Sequence, residues 1–239
     1  MNLTIDEQGD GKPTLLLHGG AGPQSVAGFA RLLAGRARVI TPTHPGFGGT
    51  ERPDWLTTVA GLADVYARLL DERDLREVAV IGNSIGGWIA AELALRSPRV
   101  GNLVLVNAVG IVVDGEPIAD VSQLSMDELA KLSYHDPEKF RVDPESLSPE
   151  QKLGMAANRA ALAVYGNGTA MTDPTLKERL AGITQPTLVV WGESDGIVTP
   201  GYGRALAAAI PGARFQLLTG AGHVPQIEAP ERLLEAIAT

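Results

Sequence analysis

A serine between glycines is the strongest chemical signal in the chain. Residues 82–87 read Gly-Asn-Ser-Ile-Gly-Gly, which places Ser84 in a Gly-x-Ser-x-Gly motif. The motif follows a short apolar run and opens a segment of helical periodicity. A sharp strand-to-helix turn of this kind exposes the serine hydroxyl above a sheet, and the flanking glycines leave room where the backbones crowd. The pattern predicts a nucleophile elbow with Ser84 at its tip.

A nucleophilic serine needs a base and a group that orients the base. One of the four histidines, His223, lies in a Gly-rich loop directly after the last apolar run, and Asp195 follows the run before it. The carboxyl ends of parallel strands meet at one edge of a sheet, so these side chains should lie close together. The chain order Ser84, Asp195, His223 is the one that this type of elbow requires. We therefore predict a catalytic triad of these three residues.

The other histidines are interpreted as structural residues. We expect His18 to brace the loop in which it lies, His44 to hold the turn at Pro45-Gly46, and His135 to be a solvated loop residue. No spacing of His, Asp and Glu in the sequence suggests a metal site, and there is neither a dinucleotide-binding glycine motif nor a P-loop. We expect no metal and no cofactor.

Seven apolar runs are available to position the triad. They are typical of strands buried on both faces of a parallel sheet, and they occupy residues 3–5, 14–17, 39–41, 78–81, 103–106, 187–191 and 215–218. Segments with apolar residues at i, i+3 and i+4 alternate with these runs, and the clearest are residues 59–70, 85–93, 202–209 and 231–238. The alternation predicts a doubly wound α/β fold with a mostly parallel sheet.

Residues 109–183 interrupt this alternation. The stretch contains helical patches at 126–132, 150–164 and 176–180 but no convincing strand, and it is too long for a loop of a compact domain. We predict a helical lid, or cap, inserted between strands over the carboxyl edge of the sheet. Residues 1–108 and 184–239 would then form the α/β core.

Composition excludes several classes of function. The 239 residues are 44% hydrophobic and 20% charged, as in ordinary globular domains. The 20 basic and 28 acidic residues give a net charge of −8 without any basic run, so we expect neither nucleic acid nor a membrane as a partner. The absence of cysteine excludes thiol catalysis. With no signal-peptide pattern and no apolar run of about 20 residues, we expect a cytoplasmic protein that acts on a small molecule. The oligomeric state stays open.

Five motifs together resemble the α/β-hydrolase superfamily. Besides the serine motif they are Leu17-His18-Gly19-Gly20, His44-Pro45-Gly46-Phe47-Gly48-Gly49, Trp191-Gly192-Glu193-Ser194-Asp195 and Gly222-His223-Val224-Pro225. The resemblance covers nearly the whole chain except the predicted lid. It implies that Ser84 is the nucleophile, His223 the base and Asp195 the orienting acid.

The resemblance also implies an oxyanion hole formed by the backbone amides of Gly20 and Ile85. This is physically sensible because glycine lets the backbone approach an oxyanion, and the Ile85 amide lies at the start of a helix. The apolar residues Trp88, Ile197 and Val224 are the candidate lining of the substrate pocket. Such families usually begin with an antiparallel hairpin, whereas this chain has room for one strand, so we expect an abbreviated sheet edge.

A serine at the elbow, rather than an aspartate, favours an acyl-enzyme over dehalogenase or epoxide-hydrolase chemistry. We therefore expect a serine hydrolase, similar to a carboxylesterase, that cleaves small to medium carboxylic esters, with lactones and thioesters as further candidates.

Two alternatives remain open. The first is a C–C bond hydrolase of ring-cleavage products, because Gly82-Asn83-Ser84 and the His18 loop resemble that branch. Against it, Val224 stands where those enzymes usually carry tryptophan, and Arg159 is interpreted as a surface residue rather than as their substrate-binding arginine. The second is a ligand-binding protein of the same fold without turnover. Perhydrolase or cofactor-free oxygenase chemistry would share the triad.

Overall fold

One sheet of seven strands organises the molecule. The computed structural model describes residues 2–140, 142–166, 168 and 170–238. The strands are β1 Ile5–Gln8, β2 Pro13–Leu17, β3 Arg38–Pro42, β4 Val78–Asn83, β5 Val100–Val106, β6 Thr187–Gly192 and β7 Arg214–Leu218. Their spatial order is β1-β3-β2-β4-β5-β6-β7, with β1 antiparallel to β3 and every other neighbouring pair parallel. The predicted doubly wound α/β fold is confirmed.

The edge strand β1 lies further along the chain than the apolar pattern predicts. Residues 3–5 are the apolar run, whereas the observed strand pairs Ile5 with Pro42 and Gln8 with Val39. An edge strand need not be buried on both faces, so polar residues can form it. A single antiparallel strand at this end agrees with the expected abbreviated edge.

Helices cover both faces of the sheet. They are α1 Gln24–Leu33, α2 Val59–Glu72, α3 Ile85–Arg96, α4 Met126–Ser133, α5 Pro149–Tyr165, α6 Leu176–Arg179, α7 Pro200–Ala208, α8 Pro225–Glu228 and α9 Pro230–Ile237. Helix α1 is absent from the sequence prediction, although Val26, Phe29 and Leu33 bury one of its faces. It follows a glycine- and proline-rich stretch, and that composition is typical of loops.

Alternate residues of the central strands enter two separate cores. Leu15 and Leu17 of β2 pack in the apolar cluster that contains α2 and α3. Leu16 between them packs in the cluster that contains α1 and α9. Because successive side chains of a strand point to opposite faces, each central strand must be apolar throughout. This explains why the sequence shows continuous apolar runs rather than alternation.

The segment between β5 and β6 contains α4, α5 and α6. A capping box begins α4 at Ser125, and a second begins α5 at Ser148. An isolated parallel bridge joins Gly110 to Thr172, close to the two ends of the segment, and the Asp173 amide donates to the Gly110 carbonyl at 2.7 Å. These bonds join the start of the segment to residues 172–173, and α4 and α5 lie between the two joined points. The role of the segment as a lid stays a prediction.

No helix among the described residues is both long and apolar enough to cross a membrane.

Candidate active site

Ser84 occupies a strained turn between β4 and α3. Its φ of 55° and ψ of −121° lie in a region that residues with a side chain rarely adopt. A Cβ atom at Gly82 or Gly86 would overlap backbone atoms, so both positions require glycine. The Ser84 amide donates to the Val106 carbonyl at 3.0 Å, and its carbonyl accepts from the Val109 amide at 3.3 Å. The neighbouring chain therefore holds the elbow in this conformation.

Asp195 and His223 form a buried pair in the loops that follow β6 and β7. The Asp195 Oδ2 atom lies 2.8 Å from His223 Nδ1, and the side chains are 0% and 9% exposed. The other carboxylate oxygen accepts the amides of Ile197 at 2.8 Å and Val198 at 3.0 Å. Because the carboxylate oxygen accepts, Nδ1 donates, and in the neutral form of the ring Nε2 then carries the lone pair. This is the tautomer that a general base needs.

Two asparagines to which the sequence motifs assign no role of their own support this pair. Asn107, fully buried at the end of β5 with a φ of 48°, donates from Nδ2 to Asp195 Oδ2 at 2.6 Å. Asn83, directly before the serine, donates to the His223 carbonyl at 3.0 Å. Both stand at the carboxyl end of a strand. A polar residue at that end of an apolar run is the sequence signal that could have identified them.

The amides of Gly20 and Ile85 are available as donors. Neither amide donates a hydrogen bond to another residue within the described ranges. Ile85 is the first residue of α3, and the first amides of a helix have no partner inside it. The carbonyl of Gly19 accepts from His18 Nδ1 at 2.8 Å and from the Gly22 amide at 3.0 Å. Because a peptide unit is planar, these bonds also fix the direction of the Gly20 amide.

His18 and His44 form a buried stack behind this loop, with ring centroids 3.8 Å apart. The His44 amide donates to His18 Nε2 at 3.1 Å, and His44 Nε2 donates to the His18 carbonyl at 2.9 Å. The Tyr66 hydroxyl donates to His44 Nδ1 at 2.5 Å. Burial lowers the pKa of His18 to about 4 and the pKa of His44 well below its ordinary value. Both rings are therefore uncharged at neutral pH and serve to hold the backbone at His18 and His44 in place.

His18 thus braces its loop as expected, and His44 holds the Pro45-Gly46 turn through its carbonyl, which accepts the Phe47 amide at 2.9 Å. The His44 ring does not bond to the Pro45-Gly46 turn; it joins the His18 carbonyl to Tyr66. The ring is fully buried, and the His18 carbonyl and the Tyr66 hydroxyl are its hydrogen-bond partners. His135 is exposed, as expected, and its Nδ1 atom lies 2.7 Å from Ser194 Oγ.

The three candidate pocket residues lie in different surroundings. Ile197 and Val224 are 7% and 8% exposed and follow Asp195 and His223 closely in their loops. Trp88 is 5% exposed and belongs to the apolar core, against the backbone at Gly110. Its Nε1 atom is buried without a partner in the described part of the chain. The loops of Asp195 and His223 thus bring two of these residues close to the pair.

Helix α5 packs on the loops that end β2 and β3. Asn158, 8% exposed, donates to the Ala21 carbonyl at 2.9 Å and accepts the Gly48 amide at 2.7 Å. The side chain of Leu162 lies against Gly20, where an added Cβ would come within 2.9 Å of it. The segment 109–183 therefore contacts the loop that carries one of the candidate oxyanion donors.

No group of three or more His, Cys, Asp and Glu side chains in the described residues could hold a metal ion.

A comparison with protein-family models matches residues 14–236 to the alpha/beta hydrolase family. The chain belongs to the alpha/beta hydrolase family. The 2-hydroxymuconate semialdehyde hydrolase of Pseudomonas putida is 31% identical over 248 residues, covering 98% of this chain and 88% of that protein. Among solved structures, this hydrolase resembles a thermophilic esterase from Thermogutta terrifontis with 26% identity and a TM-score of 0.76. The match covers 99% of this chain and 91% of the esterase.

A second solved structure is Est816, described as an N-acyl homoserine lactone degrading enzyme. It has 26% identity and a TM-score of 0.79, and the match covers 99% of this hydrolase and 95% of Est816. Relatives of this hydrolase therefore include an esterase, a lactone-degrading enzyme and a semialdehyde hydrolase.

Proposed function

We propose that this alpha/beta hydrolase cleaves small to medium carboxylic esters through an acyl-enzyme, with Ser84, His223 and Asp195 as its catalytic triad. The observation that carries the proposal is the 2.8 Å contact between His223 and Asp195 in two strand-end loops. The strained serine elbow lies at the same edge of the sheet. This combination of nucleophile, base and orienting acid is what acyl transfer requires.

The chemistry assigns each step to a residue. His223 Nε2 takes the proton of the Ser84 hydroxyl as Ser84 Oγ attacks the ester carbonyl, and it returns the proton to the leaving alkoxide. The amides of Gly20 and Ile85 stabilise the tetrahedral oxyanion, a contribution of about 3–4 kcal/mol for each donor in comparable sites. His223 then deprotonates a water molecule that attacks the acyl carbonyl, and it returns this proton to Ser84 Oγ as the bond to the acyl group breaks and the carboxylic acid leaves. Asp195 orients the neutral imidazole and stabilises the imidazolium each time His223 holds the proton.

Apolar acyl or alkyl groups of modest size are the proposed substrate groups. Ile197 lies two residues after Asp195, and Val224 directly follows His223. Leu162 packs beside Gly20. Apolar linings favour apolar groups, and each buried methylene contributes about 0.8 kcal/mol. The net charge of −8 disfavours anionic substrates at long range.

C–C bond hydrolysis is the second candidate, because the 31% identical relative is a 2-hydroxymuconate semialdehyde hydrolase. A relative from Cupriavidus pinatubonensis, 30% identical, is named a hydrolase of 2-hydroxy-6-oxononadienedioate and its triene analogue. Acidic substrates of this kind call for a cation in the site. Arg159 is exposed, and its guanidinium donates to the Leu124 carbonyl at 3.2 Å. This contact supports its interpretation as a surface residue and favours the ester.

A substrate panel tests the proposal. The purified protein is assayed with p-nitrophenyl esters of increasing chain length, an N-acyl homoserine lactone and a dienone ring-cleavage product. We expect kcat/KM to be highest for short or medium esters. If kcat/KM is higher for the dienone than for the esters, the proposed reaction becomes C–C bond hydrolysis. If kcat/KM is higher for the lactone than for the p-nitrophenyl esters, the proposed substrates become lactones.

A fluorophosphonate probe separates catalysis from ligand binding alone. We expect one probe molecule to label the wild type and the control Ser122→Ala, which removes an exposed serine. Ser84→Ala should not be labelled. A folded wild type that reacts with neither the probe nor any substrate would favour the non-catalytic alternative.

A further inference from the structure

The last turn of α4 is tied to both triad loops. The Leu132 carbonyl accepts the Gly196 amide at 2.9 Å, and the Ser133 carbonyl accepts the His223 amide at 2.7 Å. Carbonyls at the end of a helix lack partners inside the helix. Here two of these carbonyls have partners in the triad loops. One accepts from Gly196, which follows Asp195, and the other accepts from His223 itself. The insertion and the two loops thus share backbone hydrogen bonds.

A carboxylate also bridges the junction between the end of α4 and the loop that carries His223. Glu228, the last residue of α8, accepts the Gly222 amide at Oε2 at 2.7 Å. Its Oε1 atom accepts the amides of His135 at 2.8 Å and Asp136 at 3.0 Å. Hydrogen bonds to an ionised acceptor are roughly twice as strong as neutral ones. A single side chain therefore holds Gly222, the residue before His223, together with His135 and Asp136, the second and third residues after the end of α4.

The junction has little room for rearrangement. A Cβ atom at Gly222 would overlap the Ser133 carbonyl, so the two chains approach as closely as a glycine permits. Ser133 and Gly222 are both buried. Close packing of this kind transmits small displacements instead of absorbing them. A shift of residues 132–136 would therefore move the backbone that carries His223.

We propose that Glu228 is a positioning residue, which holds the His223 loop against the end of α4 so that the insertion sets the position of the catalytic imidazole. The inference rests on the proposed function, since it takes His223 as the base. It also assigns residues 132–136 to the catalytic framework rather than to a part of the insertion that moves independently.

Glu228→Gln tests the proposal with a minimal change of shape. The amide keeps one oxygen, but its nitrogen cannot accept, so either the Gly222 bond or the bonds to His135 and Asp136 are lost. Glu231→Gln is the matched control, because this exposed glutamate on α9 loses the same charge three residues away. The measured quantities are KM and kcat per active site titrated with a fluorophosphonate.

We expect Glu228→Gln to lower kcat per titrated site about 10- to 100-fold, the range that a misplacement near 1 Å produces. KM should change less than threefold, and Glu231→Gln should stay within twofold of the wild type in both constants. A merely structural role would reduce the fraction of titratable sites and leave kcat per site unchanged. That result overturns the proposal.

Two further measurements keep the outcomes distinct. If Glu228→Gln does not fold, Glu228→Asp is measured in the same way, because its shorter side chain keeps the charge but cannot reach both partners; an unchanged kcat per site there also overturns the proposal. Ser84→Ala and His223→Ala test the underlying function. If they retain turnover, the proposed triad is wrong. If they abolish turnover and the Glu228 variants have normal kcat, only the positioning role is wrong.

Discussion

Acidification should destabilise the fold through the buried histidine stack before most carboxylates titrate. His18 has a folded pKa of about 4, lowered by burial, against an ordinary value of 6.5. The unfolded chain therefore takes up a proton near pH 6.5, whereas the folded chain does not until about pH 4. His18 does not reduce the free energy of unfolding above pH 6.5. Below this pH the free energy of unfolding falls progressively until about pH 4, because only the unfolded chain binds the proton.

The lowered pKa of His18 determines how much free energy of unfolding is lost on acidification. A difference of about 2.5 pKa units corresponds to about 3 kcal/mol, since each unit corresponds to about 1.4 kcal/mol. Linkage gives a loss of about 2 kcal/mol between pH 7.5 and pH 5 from His18 alone. The lowered pKa of His44 acts in the same direction. Such a loss is a large part of the 5–15 kcal/mol that stabilises an ordinary domain.

Denaturant unfolding at pH 7.5, 6 and 5 measures this loss. We expect the free energy of unfolding of His18→Asn to fall about 2 kcal/mol less than that of the wild type over this range, although its stability at pH 7.5 is lower. Gln123→Ala removes an exposed side chain that does not titrate and should retain the wild-type pH dependence. Equal pH dependence in His18→Asn and the wild type, within 0.5 kcal/mol by the precision expected of such comparisons, would refute the reasoning.

Three further predictions follow from buried contacts. Asn107→Leu should lower kcat about 10-fold or more in steady-state ester assays, because it removes the 2.6 Å bond that helps to hold Asp195. Leu162→Ala should shift the preferred ester towards longer acyl chains in a p-nitrophenyl series, because it clears space beside Gly20. Glu92→Gln should lower the free energy of unfolding at pH 7 by about 1–2 kcal/mol in urea titrations, because it removes the buried partner of Arg179, whose side chain is 36% exposed and keeps its bond to Asp173.

The last prediction also carries a pH dependence. Burial raises the pKa of Glu92, but the hydrogen bonds and charges of Arg179 and Arg96 outweigh it, so the pKa lies below the ordinary 4.5. The stability from this ion pair is present above pH 4.5 and is lost as the pH falls through the folded pKa. Urea titrations should therefore give a smaller stability difference between Glu92→Gln and the wild type below pH 4. A stability difference between Glu92→Gln and the wild type that does not change with pH would contradict this assignment. An unchanged kcat in Asn107→Leu, or an unchanged chain-length preference in Leu162→Ala, would contradict the other two predictions.

The elements around the serine were predictable because local sequence specifies them. Continuous apolar runs locate the central strands, since both of their faces are buried. The glycines around Ser84 leave the chain few other conformations at that turn. Both signals reside in a few consecutive residues, so they need no knowledge of the distant chain.

The supports of the triad loops could not be predicted in the same way. Glu228 acts on residues 92 and 93 positions away in the sequence, and Asn107 on one 88 positions away. The strand-end position of Asn107 marks it as a candidate, but the sequence does not identify the distant residue that Asn107 or Glu228 binds. Trp88 shows the opposite difficulty. Its apolar type suits both a pocket and a core, and its contact with the backbone at Gly110 is evident only in the folded structure.

Trapping the acyl-enzyme tests the central claim most directly. The protein is mixed with a p-nitrophenyl ester, quenched in acid during the burst, and digested for peptide mass spectrometry. We predict one acyl group on Ser84 in the wild type, none in Ser84→Ala, and loss of turnover in that variant. An acyl group on another residue, or a Ser84→Ala variant that still turns over the ester, would contradict the account.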